Sequence, residues 1–201
     1  GCGQKQGPPF SPEDALSTFE LPEGFRLELV VSEPLINDPV DMAFDADGNL
    51  YVVEMPDYPT DDVKGPFSRI RRVVDSDGDG QYDTSTIFTE EMPFVNGVMP
   101  WGNGILVTKA PDILYFEDTT GDGVADVRCV VLSGFAVTNP QLRVSSLRYG
   151  LDNWIYGAYS RASAGRGFPE HADTGHPLTF PDNPEADSVN ISPGTNFRFR
   201  P

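Results

Sequence analysis

The chain has 201 residues and a formal charge of −17 at pH 7. That acidity excludes nucleic-acid binding, because a phosphate backbone demands a basic surface. With 20 glycines, 19 prolines, 11% aromatic residues and no long apolar repeat at helical spacing, the composition excludes a helical bundle and points to short strands joined by many turns.

Gly1-Cys2-Gly3 resembles the tail of a bacterial lipoprotein signal, in which cleavage falls just before a cysteine that receives lipid. The polar, proline-containing run Gln4 to Pro12 suits a flexible tether between an anchor and a folded domain. Residues 1–18 are therefore read as a lipid-modified N-terminus at Cys2 plus a tether, on the extracytoplasmic side of a bacterial cell envelope. No other contact with a membrane is expected. Residues 19–201 are read as the folded part.

Phe19 to Val31 alternates apolar and polar residues in its second half, the pattern of a half-buried strand. Met42 to Val53 is a hairpin, two apolar strands around Asp47-Gly48. Val98 to Thr108 repeats it around Asn103-Gly104, and Leu147 to Gly157 repeats it again around Asp152-Asn153. The first two hairpins are each followed by another strand pair, Arg69–Val74 with Thr86–Phe88 and Ile113–Glu117 with Val127–Leu132. Trp101 and Trp154 occupy matching hairpins and are expected to pack between units. Cys129 falls in an apolar run and is expected to be a buried thiol.

An aspartate-rich loop sits inside each of those second pairs. Asp75-Ser-Asp77-Gly-Asp79-Gly-Gln81-Tyr-Asp83 places carboxylates at alternate positions, with two glycines for sharp turns. Hard cations such as Ca²⁺ take six to eight oxygen ligands, and this spacing curls side-chain oxygens around one centre. Thr86 stands where an EF-hand has its closing Glu, so a bare calcium loop between strands is expected, with the Gln81 carbonyl as a further ligand. Asp118, Thr120, Asp122 and Asp126, with the Val124 carbonyl, form a weaker second copy.

Units of roughly fifty residues with four strands each point to an all-β fold, a partial β-propeller. Three four-stranded blades are expected, with Asn196 to Pro201 starting a fourth. Residues 160–195 form a long irregular loop holding His171 and His176, both read as solvated. In a blade of antiparallel strands, the hairpin turns and the aspartate loops share one face. The longer connections 54–66, 89–96 and 134–143 share the other. Glu54, Asp57 and Tyr58 either line a pocket on that second face or end a strand and cap a turn.

The chain resembles the membrane-bound dehydrogenase domain of planctomycete-type bacteria, related to glucose/sorbosone dehydrogenase-like propellers. The resemblance rests on Leu21-Pro-Glu-Gly-Phe25, Leu50-Tyr-Val-Val-Glu54-Met with Asp57-Tyr58-Pro59, the Asp75 loop, and Gly97-Val-Met-Pro-Trp101. It continues through Ala110-Pro-Asp-Ile-Leu-Tyr115, Asn139-Pro-Gln141-Leu-Arg143 and Gly150-Leu-Asp-Asn-Trp-Ile-Tyr156. It implies an envelope oxidoreductase for a sugar or other alcohol, with pyrroloquinoline quinone as cofactor and a cytochrome c as electron acceptor elsewhere. It also implies Arg143, Arg148 and Arg161 as contacts to the anionic cofactor and leaves Glu54 and Asp57 as candidate proton acceptors. Relatives usually carry a histidine where this chain has Leu142, so the usual base is missing. The alternative expectation is a non-catalytic, calcium-stabilised propeller that binds a glycan or a protein.

Overall fold

The computed structural model describes residues 7–58, 67–137, 142–159, 177–182, 189–190 and 195–200. The fold is all-β apart from one helical turn, α1 (Pro12–Leu16), which falls within the expected tether. Ser11 starts it as an N-cap, its side chain accepting the Asp14 N–H, and Pro12 supplies a preset φ at the first position. The helix buries no residue.

The first sheet holds β1 (Pro39–Phe44), β2 (Leu50–Glu54), β3 (Ser68–Val74) and β4 (Thr84–Met92) in that order. The second holds β5 (Gly97–Trp101), β6 (Gly104–Lys109), β7 (Asp112–Glu117) and β8 (Val127–Ser133), again in chain order. The third is built from β9 (Val144–Tyr149), β10 (Ile155–Tyr159) and β13 (Thr195–Phe199), with β10 in the middle. Every pairing is antiparallel. Between β10 and β13 lies a small ribbon of β11 (Pro177–Leu178) with β12 (Val189–Asn190).

Two expectations change here. The strand at the C-terminal end does not open a fourth unit, because Thr195 to Phe199 pairs with Tyr159 to Ile155 as the third strand of the third sheet. Local alternation identifies a strand but not its neighbour, and the long connection hid the pairing. The strand expected before residue 31 is also absent. Phe25, Leu27 and Val30 are exposed, and of that stretch Val31 alone packs on a core cluster, so the alternation has no neighbouring strand to bond.

Each turn follows from its local chemistry. The Asp45 carboxylate accepts the N–H groups of Asp47 (3.0 Å) and Asn49 (2.8 Å) and the Asn49 side-chain amide (2.7 Å), which closes the β1–β2 turn. In the second sheet Trp101 pairs with Gly104, so the turn is Gly102-Asn103 rather than Asn103-Gly104. Gly104 could be no other residue without a shift, since a Cβ there would lie 2.0 Å from the Phe116 carbonyl oxygen.

Two shared cores join the sheets. Tyr51, Val53, Ile70 and Phe88 of the first pack against Val98, Ile105, Val107 and Phe116 of the second. The other face of the second, with Leu106, Ile113 and Leu132, packs against Val144, Leu147, Ile155 and Phe197 of the third. Each fully buried aliphatic or aromatic side chain is worth roughly 1.5–3 kcal/mol, more than any single hydrogen bond crossing the same interfaces. β1 lies beside β5, and β5 beside β9, so the first strands of the sheets are neighbours. Asp41 reinforces this by accepting the Val98 N–H at 3.0 Å.

Part of the stretch expected to be irregular is an ordered cover. Thr179 exchanges backbone hydrogen bonds with Ser133, Asp182 accepts the Val130 N–H at 2.6 Å, and Leu178 is fully buried in the core between the second and third sheets. This segment blocks the outer edge of β8, which would otherwise present unpaired N–H and C=O groups. Cys129, on that outer strand, is half-buried and not enclosed as expected. Trp101 packs partly against the core between the second and third sheets. Trp154 does not pack between sheets; it carries the Arg198 and Arg200 guanidinium groups over its ring, 4.7 and 4.5 Å from the centroid.

Candidate metal centre

The β3–β4 connection, residues 75–83, turns on Gly78 and Gly80, whose φ values of 77° and 92° suit glycine. Asp75 organises it. Its Oδ1 accepts the N–H groups of Gly78 (2.8 Å) and Asp79 (3.2 Å), and its Oδ2 accepts that of Gly80 (2.8 Å). At the far end, Asp83 accepts the Ser76 N–H (3.2 Å) and hydroxyl (2.9 Å) and the Thr84 hydroxyl (2.8 Å). Tyr82 anchors the loop by donating its hydroxyl to the Gly48 carbonyl at 2.6 Å.

This frame brings carboxylate oxygens of Asp75, Asp77 and Asp83 within 4.8 Å of one another, a group able to hold a metal ion. Three hard oxygen donors at an exposed turn suit a hard cation far better than a soft one. Asp79 falls outside the group, its Oδ1 accepting the Gln81 N–H at 2.8 Å.

The β7–β8 connection, residues 118–126, repeats the frame. Asp118 Oδ1 accepts from Gly121 (2.6 Å) and its Oδ2 from Gly123 (2.7 Å), while Asp126 accepts the Thr119 N–H (3.0 Å) and hydroxyl (2.7 Å). Asp122 accepts the Val124 N–H at 2.9 Å. Among the described residues Asp118, Asp122 and Asp126 do not form a second three-carboxylate group. Thr120 stands where the first loop has Asp77, and its hydroxyl donates to Asp118 at 3.2 Å. This loop is also latched onto the first sheet, with Ala125 N–H donating to the Phe88 carbonyl at 2.8 Å.

Hydrogen bonding keeps several of these acids ionised. The Thr84 and Ser76 hydroxyls hold the Asp83 carboxyl below its ordinary range, and the Thr119 hydroxyl and N–H do the same for Asp126. At Asp118 desolvation pushes upward, but the N–H groups of Gly123 and Gly121 with Thr120 outweigh it, and the carboxyl again sits low.

The long-connection face is built differently. Glu54 is fully buried; it pairs with Arg69 and with Arg71 (2.9 Å), and accepts the Asn37 N–H at 2.6 Å. Asp57, also buried, accepts the Ser68 hydroxyl (2.6 Å) and the Phe94 N–H (2.9 Å), and Ser68 Oγ in turn accepts the Val95 N–H (3.2 Å). Both carboxylates tie connections together and face no solvent, so of the two readings open in the sequence the strand end and turn cap matches their surroundings. Ser68 carried no signal in the sequence. It opens β3, and the fold alone brings it to Asp57 and Val95.

Arg143 reaches the same cluster. Its guanidinium lies over the Phe94 ring at 4.7 Å and donates to the Val137 carbonyl at 2.5 Å, while its buried Nε has no hydrogen-bond partner among the described residues. Burial pushes its pKa below the ordinary value, and the charge of Asp57 works the other way. Arg148 is exposed near the opposite end of β9 and donates to the Leu147 carbonyl at 2.7 Å. At ~3.3 Å per residue the two positions lie roughly 16 Å apart along the strand, so they stand at opposite ends of it and do not form one cluster. Cys2, Arg161, His171 and His176 lie outside the described residues.

No curated protein matches the chain. A solved structure from Trichoderma reesei, the calcium structure of a carbohydrate-active enzyme of family AA12, is similar over 82% of this chain and 39% of that one, at 15% identity and a TM-score of 0.48. This chain thus spans about two fifths of that relative's length. A family model described as "Domain of unknown function (DUF7133)" matches residues 11–181, and the chain belongs to that family.

Proposed function

We propose that this chain is an arc of a calcium-stabilised β-propeller in the bacterial cell envelope, tethered through a lipid on Cys2, and that it serves as a binding scaffold. The observation that carries the reading is the gathering of Asp75, Asp77 and Asp83 oxygens at the β3–β4 turn. Ca²⁺ there would be held by those three residues and would supply charge neutralisation, no reactive chemistry. The arc reading draws support from the side-by-side first strands. It also draws on Val40, Met42 and Phe44, which are exposed on the first sheet. They occupy the face equivalent to the one the second sheet buries against the first. The scaffold reading draws support from Glu54 and Asp57, whose carboxylate oxygens already accept protein hydrogen bonds.

Thermal melting of the chelator-treated protein with and without Ca²⁺ tests this reading. A clear rise in melting temperature with Ca²⁺, saturating at one tight site per chain, is expected; no rise overturns it. One observation favours a second reading, the quinone-dependent oxidoreductase: the unpartnered, buried Nε of Arg143. Bound quinone absorbance in the full-length protein, lost on Arg143→Ala, would favour that reading over the scaffold.

A further inference from the structure

Three consecutive hairpins meet on the turn side of the molecule, away from the long connections, and leave a cavity of about 400 Å³ between them. The first sheet contributes Phe44, Asp45, Asp47 and Tyr51, the second Trp101, and the third Tyr149. That volume is in the range of small-ligand sites.

Two of the rings are held rigidly from behind. Tyr51 stands edge-on to Phe88 with centroids 5.1 Å apart, and Trp101 edge-on to Tyr115 at 5.5 Å. Tyr149 is more than half exposed at the rim, while Phe44 borders the cleft from the strand end with its ring beside Tyr82, centroids 6.1 Å apart. Among the described residues no Lys or Arg lines the cavity. Arg72, which hydrogen-bonds Tyr51, also donates to Asn49 Oδ1 at 3.0 Å. The Asp45 carboxylate closes its own turn, and the Asp47 carboxylate accepts no hydrogen bond among the described residues.

Aromatic faces carry negative electrostatic potential and attract cations, most strongly when carboxylates share the site. The chain's charge of −17 adds a field of the same sign. An anion is therefore repelled, and a neutral polyol gains nothing from that field. We infer that this cleft binds a small organic cation of the quaternary or alkylammonium class, at a site distinct from the aspartate loops and beyond the scaffold role proposed above.

Isothermal calorimetry of the whole chain in calcium-containing buffer tests it, with choline chloride titrated against NaCl at matched ionic strength. Saturable one-site binding of choline is expected. Its uncharged isostere 3,3-dimethylbutan-1-ol should bind about tenfold more weakly, the scale of a desolvated cation–π contact. Asp47→Asn should weaken choline binding several-fold, and Trp101→Leu should abolish it. If Trp101→Leu fails to fold, Tyr149→Ala at the exposed rim replaces it and should weaken binding without lowering the melting temperature. No saturable heat with choline, equal affinity for the isostere, or a cleft that takes a neutral hexose in its place would each overturn the inference.

Discussion

Asp75 and Asp118 hold their loops by the same bonds: in each, Oδ1 accepts the N–H three residues on and Oδ2 accepts the N–H five residues on. The two connections thus share a backbone frame, although one of them gathers three carboxylates and the other does not. The difference is a single side chain at the third position, Asp77 against Thr120. That comparison separates the frame, which any Asx-rich turn can build, from the ligand set.

Calcium affinity should therefore follow the ligand set. Asp77→Ala removes one of the three gathered carboxylates and should abolish the tight Ca²⁺ site, read by calorimetric titration of the chelator-treated protein with Ca²⁺. Asp79→Ala, outside the group, should leave most of it. Thr120→Asp should strengthen binding at the second loop. An Asp79→Ala loss equal to that of Asp77→Ala would contradict the assignment of ligands.

Acid should unlock the loops in a defined window. Asp83, Asp118 and Asp126 have folded pKa values below the ordinary one, whereas in the unfolded chain they titrate near 3.9. A depressed folded pKa gives stability that is complete above the unfolded value and is lost as pH falls through the folded one. Melting temperature of the chelated protein should be level above about pH 5 and fall below about pH 4. Asp118→Asn should flatten that fall. The effect should be small, since these groups are exposed and solvent screens them.

Glu54 should behave as a structural residue. Glu54→Gln leaves Arg69 and Arg71 facing a neutral amide inside the sheet and should destabilise the fold by about 3 kcal/mol, the low end for a broken buried pair because both arginines are partly exposed. Urea unfolding measures this. A variant as stable as the parent, yet altered in ligand turnover, would restore Glu54 as a proton acceptor.

Gly104→Ala probes the tightest approach in the second sheet. Its Cβ would meet the Phe116 carbonyl oxygen at 2.0 Å, so the β6–β7 pairing must shift. A loss of roughly 1–3 kcal/mol is expected, the usual cost of overpacking. Gly7→Ala, with nothing within 4 Å, is the control and should be neutral.

Much of the architecture was written in local sequence. Strand alternation, the Asp-Gly and Asn-Gly signals and the aspartate spacing each depend on a few adjacent residues, and the three hairpins and both loops follow from them, with the second turn closing one residue earlier than its Asn-Gly pair indicates. The metal group is legible for the same reason, since all its ligands lie within nine consecutive positions. Pairing between distant segments is not local. Thr195–Phe199 has the alternation of a strand wherever it lies, and only the tertiary structure makes it the third strand beside β10. Residues 26–31 have the same pattern and find no partner, so the pattern alone overstated them. Burial is likewise a property of the whole fold. Glu54 and Asp57 looked like available bases because charge and position say nothing about enclosure. Two guanidinium groups pack around one, Ser68 and Phe94 reach the other, and both carboxylates are enclosed. The aromatic cleft is the clearest case. Phe44, Tyr51, Trp101 and Tyr149 are scattered over three units of the sequence, and they share a cavity only because the first strands of successive sheets lie side by side.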